Sequence, residues 1–125
     1  MNALKILQTV LSGLDVPVYP IVIPETAGLP CLVTSMISER ANSRLDDLAG
    51  QFEARVRIAC HAASPAAVME LGEEVKSVML STIQAKLDGG NVLVNCFKAT
   101  TDLTDFSDDR TVYRRLMDFT VQWWI

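Results

Sequence analysis

Residues 51–61 alternate cleanly, with Phe52, Ala54, Val56, Ile58 and Cys60 on one side and Glu53, Arg55, Arg57 and His61 on the other. A period of two is the mark of a strand buried on one face only. Ser64 and Pro65 then mark a helix start. Ser64 serves as N-cap, and Pro65 takes the first helical position, where its missing N–H costs nothing. Val68, Leu71, Val75, Val78, Met79, Thr82 and Ile83 follow mostly at steps of three and four, forming one apolar stripe. Asp88, Gly89 and Gly90 are expected to stop this helix at about residue 87. A half-buried strand running into one long helix organises the chain.

Around it the pattern is shorter. Leu4, Leu7, Val10, Leu11 and Leu14 predict a short amphipathic helix with Asn2 as N-cap. Residues 15–30 hold four of the five prolines and read as a stiff extended connector, in which Val18, Tyr19 and 21–23 are candidates for an edge strand. Residues 31–39 predict a strand, with Val33 and Ile37 on one face and Leu32, Thr34 and Met36 on the other. Residues 40–50 are polar and aperiodic, a long hairpin loop with a partly helical course as the alternative. A further strand is expected over 91–101, an Asp-rich turn over 102–110, and a last strand over 111–125. In that last strand Tyr113, Met117, Phe119, Val121 and Trp123 point inward, and Arg114, Asp118, Thr120 and Gln122 outward. The expected fold is a single α+β domain over 1–125. It has a mostly antiparallel sheet of about four strands, helices on one face, and the order α-β-β-α-β-β.

Composition narrows the class. At 125 residues, half of them hydrophobic, the chain can bury a real core. The formal charge of −4 argues against a protein whose main task is gripping phosphates, so no direct nucleic-acid binding is expected. No apolar run approaches the roughly 18 residues needed to cross a bilayer, and the N-terminus lacks a secretory pattern. Cys31, Cys60 and Cys96 sit in strand-like apolar runs, which predicts buried free thiols in a reducing compartment.

Candidate chemistry is sparse. Cys60 and His61 are adjacent on a strand and point to opposite faces, so they cannot share one metal or nucleophilic site. Asp102, Asp105, Asp108 and Asp109 offer oxygens to a hard cation, but lack the glycine-centred spacing of an EF-hand; a solvated turn is the commoner meaning. Neither a phosphate-binding loop nor a nucleophile elbow is present, and no cofactor is expected. Gly72, on the flank of the helical stripe, is expected to let another helix approach closely. Arg55 and Arg57 share the outward side of one strand with Arg114 on another. Two meanings remain open: a solvated face balanced by Glu53 and Asp118, or a protein interface, where arginine's planar fork is favoured. Arg40 and Arg44 in the 40–50 loop join them as interface candidates.

Four stretches carry a likeness to a known family: 29–33 (LPCLV), 56–65 (VRIACHAASP), 71–79 (LGEEVKSVM) and 110–121 (RTVYRRLMDFTV). With the chain's size and element order, they resemble the tail terminator (tail completion) proteins of long-tailed bacteriophages and prophages. The resemblance implies a non-enzymatic virion part made in the host cytoplasm. It implies a ring, typically hexameric, at the head-proximal end of the tail tube, which stops tube polymerisation and offers the head-joining surface. The implied partners are further copies of the chain, the tail tube protein and the head connector or neck protein. The alternatives are a small ligand-binding regulatory module, or another head-tail completion or baseplate component.

Overall fold

Serine and proline set the central helix where the sequence predicts. The Ser64 side chain accepts from Ala67 N–H at 3.1 Å, and α2 (Pro65–Ser81) follows. Its buried face is Val68, Leu71, Gly72, Val75 and Met79. The computed structural model describes residues 2–42, 51–90 and 92–124. Before α2 come α1 (Ala3–Val10), a 3-10 turn at Leu11–Gly13, and strands β1 (Val18–Pro20), β2 (Cys31–Asn42) and β3 (Gln51–Ala62); after it come β4 (Ala85–Leu87), β5 (Val92–Phe106) and β6 (Tyr113–Trp124).

The strands form one sheet in the order β1-β2-β3-β6-β5-β4. β1 is parallel to β2, and every other neighbouring pair is antiparallel. Both helices pack on the same face. Ile6, Leu7 and Leu11 from α1 and Val68, Leu71, Val75 and Met79 from α2 meet Val56, Ile58 and Cys60 of β3 and Met117, Phe119, Val121 and Trp123 of β6 in one core. The α+β class and the one-sided helical cover are as expected. The sheet is larger: six strands rather than four, in the order α-β-β-β-α-β-β-β.

The two extra strands explain the difference. β1 uses Val18 and Tyr19, as the edge-strand candidate suggested, whereas 21–23 lie outside any strand. β4 replaces the end of the expected helix. The Thr82 hydroxyl donates to the Val78 carbonyl at 2.8 Å, and Gln84, at φ +51°, turns the chain back while its N–H donates to Asn95 Oδ1. Residues 85–87 then pair with 92–94, adding ladder bonds that continued helix would not provide. Gly89 and Gly90, at φ +66° and +94°, make the turn of this hairpin rather than a helix stop. Ile83, assigned to the helical stripe, is exposed.

β5 also runs on through Asp102 and Asp105 to Phe106, so the expected turn shrinks to the residues between Phe106 and Tyr113. Aspartate is a poor strand former. Here both are held by β6 arginines, and an irregularity between Lys98 and Asp102 resets the register. The expected 40–50 loop divides: β2 extends to Asn42, and residues 43–50, with Arg44, lie outside the described residues. The expected strand ends at Asn91 and Ile125 lie outside them too.

Candidate functional site

The face of the sheet opposite the helices collects the arginines singled out by alternation. In register, Arg57 lies across from Asp118, Arg55 from Thr120, and His61 from Arg114. Arg57 donates from Nε to Asp118 Oδ1 at 2.8 Å and from Nη2 to Oδ2 at 3.3 Å. Arg55 Nη2 stands 3.7 Å from the same carboxylate. The side chain of Asp118 is 2% exposed, whereas Arg55 and Arg57 remain 45% and 39% exposed. The Arg57 bond, helped by the Thr101 hydroxyl and by the charge of Arg55, outweighs burial and holds the Asp118 carboxyl below its usual range. Arg114 makes a second two-pronged pair, with Asp105 of β5.

Three of the five interface candidates therefore share one face, each engaged with an aspartate yet part-exposed. Arg40 extends the backbone of β2 opposite Glu53, its side chain lying outside the described ones, as Arg44 does altogether. Phe97 and Leu103 are exposed on the same outer face of β5. The face thus joins guanidinium groups to apolar side chains, a mixture enriched at protein interfaces.

His61 points to this face, as expected, but is only 8% exposed. Burial, and then the cation of Arg114, push its pKa below the usual histidine value; Asp105 opposes them. The folded state thus prefers neutral His61, and the unfolded chain protonates first as pH falls. Stability from this group is complete above the unfolded value of about 6.5 and drains as pH drops toward the folded value. Thermal melts between pH 8 and 5 should show wild type losing more stability than His61→Gln. Parallel curves would remove His61 as the cause.

The aspartates do not converge. Asp102 faces the helix side and Asp105 the open side, while Asp109 accepts from Ser107 and Thr111 within the turn. Groups on opposite faces of a strand cannot surround one ion. The three cysteines are free and buried, and burial pushes the Cys60 and Cys96 thiols up to about 12 and about 11.

One arrangement escaped the sequence. Arg115 alternates onto the inner face and lies beneath α2, 4% exposed. It donates from Nε and Nη2 to the two Asp102 oxygens at 2.9 Å each, and from Nη1 to the Met69 carbonyl at 3.2 Å and Glu73 Oε1 at 3.3 Å. Gly72 is the helix position over this guanidinium. The close approach expected at Gly72 is real, but its occupant is an arginine rather than a helix. The parity of Arg115 with Tyr113 and Met117 was the available signal.

Open clefts lie elsewhere among the described residues, and two of them are as follows. One, about 370 Å³, has an acidic rim of Asp15, Glu70 and Glu74; the other, about 390 Å³, is mainly apolar, with Lys5 and Met36 in its wall. Neither sets a base beside a nucleophile or donor pair, the geometry that covalent or acid–base chemistry requires. Among the described residues no helix is long and apolar enough to cross a membrane. The chain matches no protein-family model and no curated protein.

Proposed function

We propose that this chain is a structural assembly protein of the tail-terminator kind: a non-enzymatic subunit that forms a ring, hexameric in the family it resembles, on the head-proximal end of a phage tail tube. There it stops tube growth and presents the surface joined by the head connector. The observation that carries this reading is the open sheet face, where Arg55, Arg57 and Arg114 stand with Phe97 and Leu103 and, among the described residues, no helix covers them. The four family-like stretches add to it. A binding module for a small molecule would instead need a pocket with convergent polar groups.

In this reading the arginines serve contacts between proteins. Arg55 is the cleanest probe, because its ion pair is the longer one and its side chain the more exposed. Truncating an exposed pair costs the fold about 0–1 kcal/mol, whereas an interface arginine is worth roughly 2 kcal/mol or more. Arg55→Ala should therefore melt almost as wild type but weaken self-association, or binding to tail tubes assembled from the cognate tube protein. Negative-stain microscopy of the mixture should show a ring at one tube end. Tubes that keep bare ends at saturating protein would refute the proposal.

A further inference from the structure

The sheet ends in two edges, each covered over only part of its length. β1 pairs with β2 at residues 32–34, the end of the sheet that also holds His61, Arg114 and Asp105. β4 pairs with β5 at residues 92–94, the opposite end, beside Trp123 and Trp124. Beyond these covers, 35–39 of β2 and 103–106 of β5 have no strand on their outer side among the described residues. Such an edge presents a row of backbone donors and acceptors that another chain can pair with. Large apolar side chains mark both: Met36 and Ile37 on β2, and Leu103 and Phe106 on β5, are all exposed.

We propose that these two half-edges are complementary: residues 35–39 of one copy pair antiparallel with residues 103–106 of the next, head to tail. This names the contact that closes the proposed ring and rests on that reading. Strand direction supports it. β2, β3, β6 and β5 alternate, so β2 and β5 run in opposite senses. A neighbour whose strands keep the same general orientation brings its β5 antiparallel to β2.

Stagger supports it as well. The open part of β2 lies toward Asn42, and that of β5 toward Phe106, at opposite ends of the sheet. They meet only if the neighbour is displaced along the strands, with Ser38 opposite Leu103, both on the outer face, and the irregularity between Met36 and Ser38 absorbed in the pairing. The same displacement carries the neighbour's β4 beyond the end of β2 and leaves β1 clear. The two short strands thus leave one register open, and closing a cyclic sheet requires such a shear. A cyclic contact also needs two different, mutually fitting surfaces on each subunit. Two half-edges of similar length, opposite direction and like apolar character meet that need, which makes the occupant a second copy.

Cysteine cross-linking tests the contact. Ser38 and Leu103 are exposed, and the native thiols are buried, so engineered sites dominate reaction with a short bifunctional maleimide. The double variant Ser38→Cys with Leu103→Cys should give a covalent ladder on a denaturing gel. Each single variant should stay monomeric, and an equal mixture of the two singles should stop at dimers. Dimers from Leu103→Cys alone would mean a two-fold edge contact and overturn the head-to-tail proposal. Rings visible by microscopy without a ladder from the double variant would overturn this contact while leaving the ring intact. Absence of rings from wild-type protein, alone and with tail tubes, would overturn both.

Discussion

Gly72→Ala should destabilise the protein by about 2 kcal/mol, and the same change should become stabilising once Arg115 is removed. A methyl group at Gly72 would lie 2.5 Å from Arg115 Cδ and 2.6 Å from Nη1. Arginine is normally flexible enough to yield, but this one is fixed by bonds to Asp102, Met69 and Glu73. Overpacking costs about 1–3 kcal/mol, and hydrogen bonds to charged groups contribute about 1.5–3 kcal/mol each. Against this stands a helix-propensity gain of about 1 kcal/mol for alanine over glycine. The steric and polar losses win while Arg115 is present. With Arg115→Ala, and Asp102→Ala added so that no carboxylate is stranded, only the propensity gain survives. Urea denaturation of the four combinations measures the coupling. Equal destabilisation by Gly72→Ala in both backgrounds would mean that something other than Arg115 crowds the helix there.

This pair also shows where reading the chain succeeds and where it stops. The start of α2 was legible because capping is local: Ser64 and Pro65 act within one turn, with no information from elsewhere. The faces of β3 and β6 were legible because alternation is a property of the strand itself. The end of α2 was not. Residues 82–87 suit a helical stripe, and their conversion to turn and strand depends on Asn95, Val92 and Val94, which offer partners only once the chain folds back at Gly89 and Gly90 and β5 is held in the sheet. Asp102 and Asp105 likewise read as turn residues until Arg115, diagonally, and Arg114, directly opposite, bond them from β6. A strand of three residues, such as β1 or β4, is too short to have a period. On the candidate site, alternation put Arg55, Arg57 and Arg114 on one face with Asp118 as a balancing charge, but could not reveal that Asp118 is buried there beneath the first two.

Asp118→Asn should cost about 1–3 kcal/mol at pH 7, the range for charge-assisted hydrogen bonds and the penalty of leaving them unmade. The larger losses seen when fully buried pairs are broken do not apply, because Arg55 and Arg57 are part-exposed and regain water. The cost should depend on pH in a definite direction. Arg57, then Thr101 and the charge of Arg55, hold the folded carboxyl below its usual range. Above the unfolded value of about 3.9, both states are ionised and the full stabilisation is present. Below it the unfolded chain takes up a proton while the folded one resists, so wild type loses stability until the folded value is passed. Asparagine does not titrate, so the gap between wild type and variant should narrow as pH falls through this window. Asp105, also depressed by its arginine, titrates identically in both proteins and cancels from the difference. His61, lowered by burial and Arg114, is present in both proteins and cancels too. Denaturation free energies at pH 7, 5, 4 and 3 provide the test. A constant gap across that range would show that Asp118 contributes through packing rather than charge. Arg57→Ala should reproduce most of the pH 7 cost and Arg55→Ala little of it, because Arg57 holds the carboxylate at 2.8 Å and Arg55 stands at 3.7 Å. That asymmetry assigns Arg57 to the fold and leaves Arg55 the freer of the two to meet a partner.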